Sequence, residues 1–290
     1  MSIFVRQRST AFRVRQAGAV LTEDFGPLHR ADTMLEWASV TKTVTATLAH
    51  KLADSGILGL DDPVTEYLPA SRLPQWVDIA SLVSHTSGLP RVPADIHRGP
   101  EAVSNPYGKY TDHYFDHESV PRLRDEHDGT VGTYEYSNLG YAVLTRVMEI
   151  AAGDDWWTLA RRHVFEPLGV RDVSVDPDPD RIAVLHSWSG TPRSTWVDTG
   201  PFVGAGGLLG TFDALEQYAF ESHRNSLTQG DRAGWIRSRD WWWHNGHNRD
   251  QGVFVGVDED AQRVITVHTL GRRAFTADKV GARLGKAFFT

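Results

Sequence analysis

Ser39-Val40-Thr41-Lys42 sets a hydroxyl and an amine three residues apart. On a helix that spacing puts both groups on one face, within reach of each other. A serine hydroxyl is a weak nucleophile until a base takes its proton, and a lysine can do so where burial lowers its pKa. Lys42 lies in a stretch otherwise poor in charge. Ser39 stands where a helix begins, so backbone N–H groups and the helix dipole favour a developing oxyanion there. Alone, the pattern describes a surface Ser and Lys equally well.

Two further groups have the right chemistry. Tyr136-Ser137-Asn138 offers a phenol that can pass a proton to a leaving group and a carboxamide that can orient the lysine or hold a substrate amide. The plain alternative is a packed aromatic and an Asn helix cap. His244-Asn245-Gly246 follows three tryptophans on an expected strand. A glycine there lets a ligand approach the backbone, and an imidazole can contact substrate near neutral pH. A histidine closing a strand is the plain reading.

Other chemistries fit less well. His113, His117, His244 and His247, with Asp112, Asp116 and Glu118 near the first two, suggest a metal site, but no H-E-x-x-H is present. Gly204-Ala205-Gly206-Gly207-Leu208-Leu209 lacks the last glycine of a dinucleotide fingerprint, and there is no P-loop. A non-catalytic binding module that kept such a fold is a third reading. The intact polar set speaks against it.

The three groups in this order carry a resemblance. Ser39–Lys42, Tyr136–Asn138 and His244–Gly246 resemble the S-x-x-K, Y-x-N and K-T-G or H-x-G elements of the serine β-lactamase and DD-peptidase superfamily. The likeness is to its class C-like branch, which also holds family VIII esterases, D-aminopeptidases and several acyltransferases. Leu82-Val83-Ser84-His85-Thr86-Ser87-Gly88-Leu89, Gly56 to Pro69 and Gly204 to Asp213 are further phrases of that branch, so the likeness runs from about Leu35 to the end. It implies Ser39 as nucleophile, Lys42 as general base, Tyr136 as proton-transfer partner and Asn138 as a substrate or lysine contact. It also implies an oxyanion hole from the backbone N–H groups of Ser39 and His247, a substrate contact at His244 beside Gly246, and no cofactor. His244 stands where class C β-lactamases usually have lysine. A neutral imidazole binds a carboxylate less firmly than an ammonium does. The departure favours an esterase, amidase, peptidase or transacylase over a β-lactamase. The chain is also short for the branch.

Bulk properties agree with a small-molecule enzyme. The 290 residues are 40% hydrophobic and 23% charged, with a formal net charge of -7, which argues against nucleic acid as a partner. There is no cysteine, so thiolate chemistry and disulfides are out. Charge in Met1 to Arg8 where a leader needs apolar residues, and no apolar run of bilayer length, give the expectation of a cytoplasmic protein without membrane contact.

The elements that must position these groups can be outlined. Ser2 to Val5 and Ala11 to Val14 read as strands. Val40, Val44, Leu48 and Leu52 mark a helix ending near Ser55-Gly56, and Asp61-Asp62-Pro63 reads as an N-cap with proline at the first helical position of a short helix to Leu68. Residues 90 to 133 read as long loops with short helices. Leu139 to Ala152 and Trp157 to Val164 read as helices, and Gly204 to Leu208 as a tight loop. A helix to Phe220 follows, capped by Thr211 or Asp213 with Glu216 in its first turn. Ser238 to Trp243, Gly252 to Val257 and Arg263 to Thr269 are strand-like, the last two joined at Asp258-Glu259-Asp260, and Ala277 to Phe289 is a final helix. The fold class is α/β (α+β), β-lactamase/transpeptidase-like. Terminal strands form an antiparallel sheet (1–60 plus 200–290), a helical lobe (61–199) is inserted, and the site lies between them. The aromatics Trp241 to Trp243, Tyr107, Tyr110, Tyr114 and Phe115 read mainly as packing; any that face the cleft would select an aromatic or bulky acyl group.

Overall fold

The computed structural model describes residues 8–98, 105–130, 132–185, 200–224, 233–271 and 275–289. The strands are β1 (Ser9–Gln16), β2 (Ala19–Phe25), β3 (Leu35–Glu36), β4 (Val173–Ser174), β5 (Leu209–Gly210), β6 (Ile236–Ser238), β7 (Trp241–His247), β8 (Gln251–Asp258) and β9 (Arg263–Leu270). The α-helices are α1 (Thr41–Asp54), α2 (Val64–Tyr67), α3 (Ile79–Val83), α4 (Asp112–Tyr114), α5 (Leu123–Glu126), α6 (Asn138–Ala152), α7 (Trp156–Ala160), α8 (Val203–Gly206), α9 (Phe212–Arg224) and α10 (Thr276–Phe288).

Six strands form an antiparallel sheet in the order β2-β1-β9-β8-β7-β6, and β3, β5 and β4 form a small second one. This is the α+β class expected. The expected strand Ser2 to Val5 lies outside the described residues. β2 was not anticipated. Among the described residues it pairs only with β1, and most of its side chains are exposed, so it lacks the alternation of a half-buried strand.

The α10 face of the sheet packs Val14, Phe254, Ile265 and Val267 on Ala277, with Trp241 and Trp243 joining them. Trp242 lies against the other, larger core, which surrounds α1 and α6. Helix α1 is buried on all sides from Thr41 to Ala49. Its threonines can sit there because Thr43 and Thr47 donate to the Val40 and Thr43 carbonyls at 2.8 Å each, and Thr45 donates to Gly204 O at 2.6 Å. The helix ends at Ser55 with Gly56 at φ +70°, as the sequence indicated. Among the described residues no helix is long and apolar enough to cross a membrane.

Four local expectations are corrected. Pro63, not Asp62, precedes the first turn of α2; the Asp62 carboxylate instead accepts from Gly59 N–H at 2.5 Å and Tyr67 O–H at 2.6 Å. Gly204 to Leu208 is not all loop but begins within α8, because Gly204 packs so closely on α6 that a Cβ would overlap Thr145 Oγ1. Thr211 caps α9 through Ala214 N–H at 3.2 Å. Asp213 is drawn off to Arg13 and Arg15, and the Glu216 side chain binds Arg15 Nε at 2.9 Å rather than the helix start. The strand expected over Ser238 to Trp243 is broken at Arg239-Asp240, a two-residue turn with Arg239 at φ +53°. His244-Asn245-Gly246 therefore lies within β7, not beyond it.

Candidate active site

Ser39 occupies a single turn of 3-10 helix, Ala38–Val40, leading into α1. Trp37 anchors that turn: its side chain is fully buried against Phe165 and Tyr218, and its backbone N–H donates to Leu208 O at 2.8 Å. Ala38 is held at φ +43°, a left-handed conformation that costs a non-glycine residue about 1 kcal/mol or more and tends to persist at functional sites. The turn presents Ser39 Oγ to two groups at once. The Tyr136 hydroxyl donates to it at 2.7 Å and Lys42 Nζ at 3.3 Å.

Lys42 is 1% exposed. Its Nζ also donates to Ala205 O at 2.5 Å and lies 5.0 Å from the Tyr136 ring centroid. The Ala205 carbonyl comes from α8, and sequence reasoning did not find it. A backbone acceptor has no residue-type signal, and only the glycine run hinted at a close approach.

Ser137, rather than Asn138, caps α6, its Oγ accepting from Gly140 N–H at 2.7 Å. The Asn138 side chain is thereby left for the cleft. Its Nδ2 donates to Tyr107 Oη at 2.9 Å, and its Oδ1 is buried without a hydrogen-bond partner among the described residues.

On β7 alternate residues face opposite ways. His244 and Gly246 are buried, whereas Asn245 and His247 both donate to Asp278 on α10, His247 Nε2 at 2.7 Å. The carboxyl of Asp278 is held below its usual range by the hydrogen bonds from His247 and Asn245, which outweigh the opposing effect of burial. Gly246 abuts the turn that carries Ser39 so tightly that a Cβ would lie 2.7 Å from Ser39 N. Ser39 and His247 line one small cleft with Tyr107, Asn138, Phe202, Ala205, Gly206 and Asn248. His244 does not line it. The imidazole is buried, its Nδ1 engages Asn245 O at 2.7 Å, and burial, reinforced by Lys42, pushes its pKa down to about 4. It is a neutral wall behind the site.

A second histidine, unassigned in the sequence reading, holds Tyr136. The His85 carbonyl accepts Glu135 N–H at 2.8 Å and its Nδ1 accepts Ser137 N–H at 3.1 Å. Its ring lies 4.6 Å from Tyr136 and 4.8 Å from Tyr141. Burial, then Lys42, lowers its pKa to about 3, so it stays a neutral acceptor. His85 is at φ +59°, where Asn is better tolerated than most residues. His85→Phe keeps a ring but strands the Ser137 N–H, and should lower the rate of Ser39 acylation by about 10–100-fold through misplacement of the phenol. His85→Asn, which can restore an acceptor, should recover part of it. Stopped-flow acylation together with thermal melts checks this, and equal rates for the two variants would show that the acceptor is irrelevant.

Among the described residues no cluster of three or more His, Asp or Glu is placed to hold a metal ion. The His113 and His117 rings lie 4.5 Å apart, but Asp116 is paired with Arg146 at 2.6 Å.

Comparison with known proteins places this geometry. A sequence model of the family described as Beta-lactamase matches residues 5–285. The D-alanyl-D-alanine-carboxypeptidase/endopeptidase AmpH of Escherichia coli K12 is 26% identical over 214 residues, covering 69% of this chain and 53% of that protein. Esterase EstB of Burkholderia gladioli is 32% identical over 187 residues, 59% of this chain and 46% of that protein. The chain thus spans about half the length of these curated relatives. Among solved structures, a Yersinia pestis β-lactamase/D-alanine carboxypeptidase superposes with a TM-score of 0.74 at 22% identity, over 96% of this chain and 92% of that one. A class C β-lactamase does so with a TM-score of 0.74 at 16% identity, over 97% and 91%. With the family model spanning nearly the whole sequence, the chain belongs to the Beta-lactamase family.

Proposed function

We propose that this protein is a serine hydrolase that forms an acyl-enzyme on Ser39 from a small-molecule ester or amide. The observation that carries the reading is the double contact of Ser39 Oγ, 2.7 Å from the Tyr136 hydroxyl and 3.3 Å from Lys42 Nζ. In its amine form Lys42 takes the Ser39 proton as the oxygen attacks the acyl carbon. The oxyanion is held by the backbone N–H groups of Ser39 and His247, which line the same cleft. Tyr136 passes a proton to the leaving group, and water then releases the acyl chain. Asn138 Oδ1, buried and unpartnered at the cleft, suits an amide N–H.

The esterase and carboxypeptidase among the relatives support an ester or amide over nucleic acid, as does the net charge of -7. An ester or open-chain amide is favoured over a β-lactam by the neutral, buried His244. The variant reading, transfer of the acyl group to an alcohol or amine, differs only in the acceptor. A fluorophosphonate probe should add once to the wild-type protein, on Ser39, and not to Ser39→Ala. Intact mass spectrometry reads the result, and labelling that survives in Ser39→Ala would end the proposal. Adduct lifetimes with and without added alcohols or amines separate hydrolysis from transfer.

A further inference from the structure

Arg91 lies beside the proposed machinery with its charge unspent. Its guanidinium is 5.0 Å from the centroid of the Tyr136 ring, the phenol that contacts Ser39. Its backbone is fixed there, since the Arg91 carbonyl accepts Asn138 N–H at 2.8 Å and Leu139 N–H at 3.4 Å. The backbone of Arg91 is therefore tied to the start of α6, at Asn138, a residue that lines the cleft. Arg91 is exposed, and its side chain has no carboxylate or other hydrogen-bond partner among the described residues.

Among the described residues the other basic groups near Ser39 are engaged elsewhere: His247, which lines the cleft, is bound to Asp278 at 2.7 Å. Lys42 is 1% exposed and directs its Nζ to Ser39 and Ala205. His244 is buried and turned to Asn245 O. A guanidinium resting on an aromatic face keeps its donor edges available, and that planar fork fits a carboxylate or phosphate with two parallel hydrogen bonds.

We infer that Arg91 is a specificity-determining residue that selects acyl donors carrying a carboxylate or phosphate close to the scissile bond. The inference rests on the acyl-enzyme reading above. The anion can belong to the acyl part or to the leaving group, and matched esters separate the two. Mono-p-nitrophenyl succinate against p-nitrophenyl butyrate places the charge on the acyl side. 4-Acetoxybenzoate against its methyl ester places it on the leaving group.

With the full chain, at least one pair should show kcat/KM at least tenfold higher for the charged ester, after correction for intrinsic reactivity, and mostly through KM. The ratio should shrink as NaCl is raised. Arg91→Ala should bring it near one with the loss falling on the charged ester; Arg91→Lys should keep part of it, and Arg91→Glu should invert it. No preference in either pair, or an Arg91→Ala loss shared equally by charged and neutral esters, overturns the inference. Turnover of all four esters that persists in Ser39→Ala is a different failure. It removes the acyl-enzyme reading, and the inference with it.

Discussion

Replacing Lys42 with methionine is expected to slow acylation of Ser39 by about 10²–10⁴-fold, the range of a lost general base. Methionine keeps the apolar stem in a helix that is buried all round but removes the amine that reaches Ser39 Oγ at 3.3 Å. The neighbouring imidazoles cannot substitute, because His85 is committed to Ser137 N–H and His244 to Asn245 O. The fold should survive. The buried Ala205 carbonyl loses its donor, a cost of about 1–3 kcal/mol, and a chain of this size shifts its melting point by about 2–4 °C per kcal/mol. Time-resolved intact mass with a fluorophosphonate reads the rate. A Lys42→Ala variant rescued by ethylamine, in proportion to its free-base concentration, would tie the loss to the missing amine rather than to packing. Wild-type labelling rates in Lys42→Met would remove the lysine from the mechanism.

The second large effect is expected from a single methyl group. A Cβ on Gly246 would lie 2.7 Å from Ser39 N, 2.7 Å from Trp37 O and 2.8 Å from Ala38 Cβ. None of these atoms belongs to a flexible side chain, so Gly246→Ala must push β7 away from the turn that carries the nucleophile. The two proposed oxyanion donors sit on either side of that contact, and losing one such donor costs about 10²–10³ in rate. We expect kcat/KM for a neutral ester to fall by about that factor, with overpacking costing about 1–3 kcal/mol of stability. Ester turnover read beside a thermal melt checks it. A variant with activity within twofold of wild type would show that this approach is not needed for the chemistry.

These outcomes depend on features of unequal legibility. The four-residue spacing of Val40, Val44, Leu48 and Leu52 revealed α1, because a helix packed on a core shows its period in side-chain type. The union of Ser39, Lys42 and Tyr136 was legible from residue chemistry and order. The Ala205 carbonyl and the His85 clamp were not. One is a backbone atom; the other is a buried imidazole in Ser84-His85-Thr86, whose residue types suit a surface turn equally well. The facing of His244 was also hidden, since orientation along β7 depends on where the strand starts, and the turn at Arg239-Asp240 had been read as strand. β2, Ala-Val-Leu-Thr-Glu-Asp-Phe, lacks strand alternation, and its pairing partner rather than its own pattern makes it a strand.

Strand β1 aligns with β9 from Ser9 opposite Leu270 to Gln16 opposite Arg263, so the sheet joins the first and last parts of the chain. Closing so wide a loop carries a large entropic cost, so this pairing is a non-local contact that slows folding. A nascent chain that has released α1 already holds the serine and lysine, yet it lacks the β7 edge that packs against their turn. The close approach of Gly246 to that turn therefore forms only once β7 has joined the sheet.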